Sequence, residues 1–354
     1  MRNTKKKIAV FYTGGTISMK KSEAGGVNLQ DSNPLADNIS KNMDDFLKTN
    51  NIELVQELVF GEPIPSAYVS EQHMLILRNA ILEKIDSGNV DGVVVTHGTD
   101  TLEETAWFLD MTVDRSVPVV VTGAMRSSDA LGSDAVYNYQ CAIRAAMCDE
   151  AKGMGTIVVF NDDIHAARDV TKTHTTNLAT FQSPGLGPIG AMTEKHVVFT
   201  RKLPPRAHYD IKSMTKNVML VKAFAGINSL VFEAFEALEE KRIREQPGSR
   251  EHKHFPIDGF VIEALGAGNL PPRIIDCLKK LEDRKIPIVL ASRCLAGSVQ
   301  DIYGYVGGGK NLKTKEVKDI IFSNGLSGVK ARLKLAVLLE KTSDPKEIEG
   351  EFAR

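Results

Sequence analysis

A chain of 354 residues, 42% hydrophobic and 25% charged, has the ordinary balance of a globular protein and enough apolar residues for sizeable cores. Its length suggests two domains, or one large domain with a smaller one. With a formal net charge of −1 and no basic stripe interleaved with aromatics, it carries no electrostatic footprint for nucleic acid, and no apolar run is long enough to span a membrane. Cys141, Cys148, Cys277 and Cys294 are widely spaced, with no CxxC pair and no zinc-finger spacing to a histidine, so they read as buried free thiols. Cys141 and Cys148, seven apart, are expected on one helix face. No metal-ligand cluster and no nicotinamide-binding pattern is visible, and no cofactor is expected.

In chain order, Lys5-Lys6-Lys7 reads as a solvated tail before a buried strand at 7–13, KIAVFYT. The start is basic without a signal-peptide core, which points to a cytoplasmic protein unless a leader has been removed. Residues 74–88 place Leu75, Leu77, Ile81, Leu82 and Ile85 at helical spacing. A strand is expected at 91–98, a helix at 101–111, a strand at 118–124, a helix at 134–148 and a strand at 155–161. Short apolar runs alternating with helices of this length predict βαβ units and a mainly parallel sheet. The polar segment from Asn161 to Pro184 is long enough to suggest function, and its Ile164, Val170, Leu178 and Phe181 argue against disorder.

Beyond Gly190 the pattern loosens into a hairpin-like segment and a Pro-Pro-containing linker. Strands follow at 217–224, 258–265 and 287–293. Helices are expected at 271–285, with proline in the first turn, and at 328–341. The charged stretch 237–255 reads as an exposed helix end and loop. The predicted fold is α/β: a larger N-terminal, mainly parallel-sheet domain over 1–203, a linker over 204–216, and a smaller C-terminal α/β domain over 217–354.

In open α/β sheets, ligands bind beyond the carboxyl ends of the strands. After the first strand stands Thr13-Gly14-Gly15-Thr16, which is neither GxGxxG nor a P-loop. Paired glycines let a chain turn tightly and can present a hydroxyl over the sheet, or they form a simple turn beside a structural threonine. After the next expected strand stands Thr96-His97-Gly98-Thr99-Asp100-Thr101. Thr99 or Asp100 can cap the helix at 101, and Glu103 and Glu104 suit its dipole. A cap accounts for one side chain of this group and not for the rest. His97 is expected to be a hydrogen-bonded core histidine. Gly123 and Ala124 are small, as a crevice floor requires, and Ser127, Ser128 and Asp129 read as caps.

Lys172 lies between two threonines in the polar segment. Threonine is a poor nucleophile unless a base takes its proton. A lysine desolvated in a pocket can lose its charge near neutral pH and serve as that base, with a carboxylate to orient it. Thr16, Thr99, Asp100 and Lys172 converging on one crevice would give triad logic with lysine in place of histidine, and acyl transfer to water.

With these residues in view, the sequence resembles the bacterial-type L-asparaginase family. YTGGTISM (12–19), with Thr16, is similar to its first signature, and GVVVTHGTDTL (92–102) to its second. RDVTKTHTTNLATFQS (168–183) resembles its lysine-bearing loop and GAGNL (266–270) a loop of its C-terminal domain. The resemblance runs over essentially the whole chain in the same order. It implies that Thr16 is the primary nucleophile, that Thr99, Lys172 and Asp100 form a second triad, and that L-asparagine is the substrate. Ser66, in PIPSAYVS, would hold the substrate's α-carboxylate and Asp100 its α-ammonium. The Ala124 carbonyl would lie near the side-chain amide, and Asn269 would be a further substrate contact. It also implies self-association as a homodimer or homotetramer, with sites formed between the N-domain of one subunit and the C-domain of a neighbour.

The chain departs from the family pattern at several places. Ser18 replaces an alanine or glycine, and residues 19–40, where a flexible lid normally carries a tyrosine, contain none. Ala67 replaces a frequent glutamine, and the acidic residue normally lent to the neighbouring site has only Asp301 as a match. Glutaminase activity, a glutamine-using amidotransferase subunit and a non-catalytic amino-acid-binding protein are the competing expectations. An amidotransferase subunit usually needs an extra N-terminal domain and a partner.

Overall fold

Ile8 to Tyr12 are five consecutive buried residues, a run that suits only a sheet covered on both faces. In the computed structural model, which describes residues 5–22, 26–29, 43–114, 116–194, 196–245 and 257–354, this run belongs to strand β1 (Lys6–Tyr12). The chain divides into two units, Met1–His208 and Tyr209–Arg354.

In the first unit, β1 is followed by a small antiparallel pair, β2 (Met19–Ser22) and β3 (Gly26–Leu29), then by β4 (Ile52–Leu58) and β5 (Gly92–Thr96). Next come β6 (Val119–Thr122), β7 (Thr156–Phe160), β8 (Asp163–Ala166), the two-residue strands β9 (Thr171–Lys172) and β10 (Phe181–Gln182), and finally β11 (Gly190–Met192) and β12 (Val197–Phe199). Among the described residues the main sheet runs β12-β11-β8-β7-β6-β5-β1-β4. The strands from β4 to β7 in that order pair in parallel, whereas β8, β11 and β12 are antiparallel additions at one side.

Alternation within the strands divides the core. Val10, Tyr12, Val94, Val120 and Val159 face helix α3 (Ala135–Ala146), which contributes Tyr139, Ala142 and Ile143. Phe11, Val93, Val95, Val121 and Val158 face α1 (Glu71–Asp86), through Leu77 and Ile81, and α2 (Leu102–Thr112), through Leu102, Ala106 and Leu109. Each fully buried valine or leucine contributes roughly 1.5–3 kcal/mol, and this is what holds the strand ends in place. The chain leaves β1 for β4 on one side and then crosses to β5 on the other. The carboxyl ends of β1 and β5 therefore meet at a topological switch point, where such sheets open a crevice.

The second unit is simpler. Strands β13 (Val218–Lys222), β14 (Gly259–Ala264), β15 (Ile288–Ser292) and β16 (Ile321–Phe322) form a parallel sheet in sequential order. Helices α4 (Leu230–Glu245), α5 (Ile275–Asp283), α6 (Gly328–Leu339) and α7 (Pro345–Ala353) accompany it. Pro272 opens a one-turn 3-10 helix that leads into α5. Helix α4 takes up the first part of the predicted charged loop, and residues 246–256 lie outside the described residues. So do residues 23–25 and 30–40 of the expected lid.

Several expectations need correction. The lysine run is not a free tail: β1 begins at Lys6, whose Nζ donates to the Met147 carbonyl at 2.7 Å, and Lys7 N–H reaches the Asp91 carboxylate at 2.8 Å. Cys148 does not share a helix face with Cys141, because α3 ends at Ala146; it is half-buried and lies by Glu150, and Cys294 is exposed. The polar segment after Asn161 is not one loop, since it contains β8 within the main sheet and the β9–β10 hairpin. The strand Ile52–Leu58 was not anticipated: it is an edge strand whose residues are mostly half-exposed, so its apolar signal is weak. Ser127, Ser128 and Asp129 precede the true N-cap, Asp134, whose carboxylate takes the Met125 and Arg126 amides at 3.0 Å each.

Candidate active site

The site is built from turns at the ends of β1 and β5. Thr13 ties them together, donating both its amide (3.2 Å) and its hydroxyl (3.0 Å) to the Thr96 carbonyl. Gly14 and Gly15 then adopt φ of +120° and +83°, which residues with a side chain rarely reach. A Cβ on Gly15 would lie 2.2 Å from Gly98 Cα, so the two turns touch backbone to backbone. Thr16 follows directly, half-buried at the start of a one-turn 3-10 helix, Thr16–Ser18. The Ser18 hydroxyl is buried without a hydrogen-bond partner.

A third segment arrives at Ser66, which begins a short 3-10 turn. The Ser66 hydroxyl accepts the Asp100 amide at 3.2 Å, and its carbonyl accepts the Thr101 hydroxyl at 2.8 Å. A Cβ on Gly98 would sit 2.6 Å from Ser66 Oγ, so glycine is needed here as well. Helix α2 starts only at Leu102, with Thr101 as its N-cap residue and no side-chain cap. The sequence-based suggestion that Thr99 or Asp100 caps this helix is therefore not met, and both side chains are left for other partners.

That partner is Lys172 on β9. Its Nζ donates to Thr99 Oγ1 at 2.9 Å and to Asp100 Oδ1 at 2.7 Å. The Lys172 side chain is 17% exposed and Thr99 7%, while the Asp100 side chain is 67% exposed. The lysine thus sits at the border of the fold, with a buried hydroxyl on one side and an open carboxylate on the other. The arrangement places one amine within hydrogen-bond reach of both a hydroxyl and a carboxylate.

His97 is turned to another task. Its Nδ1 lies 2.8 Å from the Gly98 carbonyl, which can only accept, so Nδ1 carries the proton. Nε2 then accepts from the Thr105 hydroxyl at 2.9 Å. Complete burial pushes the imidazole down to about 4, so the ring is neutral near pH 7. Both ring nitrogens are used in fixing the Gly98 turn. The end of β6 packs alongside: a Cβ on Gly123 would meet the His97 carbonyl at 2.5 Å, and Ala124 is buried next to it.

Sequence reasoning missed four contributors. The sequence marks Glu103 only as a favourable charge near the start of α2, yet its carboxylate accepts the Lys172 amide at 2.6 Å. Thr101 and Thr105 hold Ser66 and His97, as described above. Asn138 donates to the Gly123 carbonyl at 3.1 Å and accepts the Asn161 amide at 3.2 Å, linking the ends of β6 and β7. A fully buried asparagine among Tyr139, Cys141 and Ala142 was a usable signal for it. Asn269 lies in the second unit, in the turn after β14 where Leu265 and Asn269 exchange main-chain hydrogen bonds, and its Oδ1 is buried without a partner. Asp301 and Ala67 are exposed.

Residues 7–205 match a family model described as asparaginase, N-terminal, and residues 217–352 one described as glutaminase/asparaginase C-terminal domain. An L-asparaginase of Bacillus licheniformis is 34% identical over 337 residues, covering 94% of this chain and 95% of its own. A glutaminase-asparaginase of Pseudomonas fluorescens biotype A is 30% identical over 359 residues, covering 99% and 91%. The crystal structure of a probable cytoplasmic L-asparaginase from Campylobacter jejuni superposes with a TM-score of 0.80 at 31% identity, covering 99% of this chain and 100% of that one.

Proposed function

The chain belongs to the asparaginase family, and on that premise we propose that it hydrolyses L-asparagine to L-aspartate and ammonia. Thr16 attacks the side-chain amide carbon, its hydroxyl proton passing to Lys172 through the Thr99 hydroxyl or a water beside it, and from there to the departing nitrogen. The tetrahedral oxyanion is held by main-chain N–H groups of the glycine-rich turns. The C–N bond breaks, ammonia leaves with an added proton, and water then cleaves the acyl-threonine ester. Lys172 acts as the base, taking the proton of the Thr99 hydroxyl or of a water beside it, with Asp100 orienting the ammonium and helping it return the proton.

One observation carries this reading: Lys172 Nζ stands 2.9 Å from Thr99 Oγ1 and 2.7 Å from Asp100 Oδ1 at the switch point of the sheet. Ser66 and Asp100 are proposed to hold the α-carboxylate and α-ammonium, with the Ala124 carbonyl near the amide and Asn269 as a further contact. Homodimeric or homotetrameric association and a cytoplasmic location belong to the same proposal. The location is supported by the description of the Campylobacter jejuni relative. Among the described residues no helix is long and apolar enough to cross a membrane.

A second reading, glutaminase-asparaginase activity, is favoured by relatives that carry that name. Steady-state ammonia release from L-asparagine and L-glutamine tests both readings. The proposal expects turnover with L-asparagine at the higher kcat/KM. A higher kcat/KM with L-glutamine would transfer it to the second reading, and tight amino-acid binding without ammonia release would overturn both.

A further inference from the structure

Lys172 presents a mechanical problem. It sits on a two-residue strand outside the main sheet, at the end of a long flexible side chain, yet its Nζ must stay between Thr99 and Asp100. The β9–β10 ladder serves only one edge of this strand. Across it, Thr173 N–H donates to the Thr180 carbonyl at 2.8 Å. Successive amides of a strand point to opposite edges, so the Lys172 N–H faces away from β10. It would be an open-edge donor, and it is met there by Glu103 Oε2 at 2.6 Å.

Glu103 is well placed for this contact. It is 8% exposed and lies in the first turn of α2, where unpaired helix amides favour a carboxylate. It stands four residues after Thr99 and three after Asp100, on the same rigid turn. A charge-assisted bond from its carboxylate to the Lys172 amide therefore ties the lysine's main chain to the body that carries both partners of its side chain. The hairpin's other anchor is apolar: Phe181, opposite Lys172, packs on Phe160 of β7 with ring centroids 4.7 Å apart. Phe181 holds the hairpin down, and Glu103 sets where along α2 it rests.

We propose that Glu103 is a positioning residue whose carboxylate clamps the Lys172 main chain onto α2 and so holds Nζ between Thr99 and Asp100. The proposal rests on the reading of Lys172 as the base. Glu103 bonds the Lys172 main chain and not its amine, so its effect is expected in turnover more than in binding.

The experiment compares the full-length chain with Glu103→Ala, Glu103→Gln and Glu104→Gln, using L-asparagine kinetics and lysine-selective ¹⁵N labelling, with Lys172→Arg identifying the Lys172 amide signal. In Glu103→Ala, kcat per folded molecule falls by about 10- to 100-fold with KM little changed, as a misplacement of about an ångström produces. Glu103→Gln keeps an acceptor oxygen and recovers most of kcat. Glu104→Gln removes the same formal charge from the same turn and leaves kcat unchanged. The Lys172 amide exchanges with solvent at least about tenfold faster in Glu103→Ala, while lysine amides elsewhere do not change.

The proposal is overturned by a parental kcat in Glu103→Ala, by a loss that merely follows the unfolded fraction seen in circular dichroism, or by a Gln variant as impaired as the Ala variant. If the parent chain releases no ammonia, the functional reading fails and the exchange measurement alone decides the clamp. Faster exchange confined to Lys172 supports it, and unchanged exchange removes it.

Discussion

The two units each contain a run of parallel strands flanked by helices, yet they differ in the order of those strands. In the second unit, β13 to β16 lie side by side in chain order, so every crossover moves the same way. In the first, the chain reverses direction at β1, and the turns after β1 and β5 lie at a switch point. There Gly15 touches Gly98, and Thr99, Asp100 and Lys172 meet. Both units also use positive-φ glycines after their strands, but in different ways. Gly15 is pressed against another main chain, while Gly266, at φ +53°, has nothing within 4 Å of an added Cβ. Strand order brings the turns after β1 and β5 together, and the close glycine contacts mark where they meet.

The largest effect expected from breaking this contrast is chemical. Thr99→Ala and Thr16→Ala should each lower kcat for L-asparagine by about 10²- to 10⁴-fold while the thermal melt keeps its cooperativity. Near-normal turnover in the Thr99 variant would remove its hydroxyl from the mechanism. Next in size, Gly15→Ala forces a Cβ into the Gly98 main chain at an unfavourable φ. It should cost roughly 2–4 kcal/mol in urea unfolding and abolish turnover as well.

The third prediction concerns His97, the neutral histidine beside the Gly98 turn. With His97 held at about 4 in the folded chain and near 6.5 when unfolded, the unfolded state binds the additional proton between these values. Stability therefore falls as pH drops through this window, by about 3 kcal/mol between pH 7 and pH 4 from this residue. His97→Gln should flatten the slope relative to the parent, and an unchanged slope would contradict the assignment. The smallest effect is the matching substitution in the other unit. Gly266→Ala meets no atom and should cost only about 1 kcal/mol from its backbone conformation.

Much of this contrast was legible in the sequence. The valine runs of β5, β6 and β7 are apolar on both faces, and that pattern has one physical meaning in a chain that alternates with helices. The polar residues after those strands were legible for the same reason, since a buried strand that ends in hydroxyls and carboxylates must deliver them somewhere. The edge strand β4 was not, because IELVQEL buries only part of each face. Strand β8 was missed because DIHA reads as polar, although His165 within it is fully buried. The use of Glu103 was beyond reach because its partner lies 69 residues away and presents a main-chain amide, which leaves no mark in the residue types. His97 could be read as structural, but its tautomer follows only from the two contacts that the fold supplies.

Lys172, held between Thr99 and Asp100, is proposed to supply the base for amide hydrolysis. The most direct measurement is kcat for ammonia release from L-asparagine by Lys172→Met beside the parent, with circular dichroism showing both folded. The account predicts a fall of about 10²- to 10⁴-fold, as loss of a general base produces. Ammonia release from the folded methionine variant at close to the parental rate would contradict it.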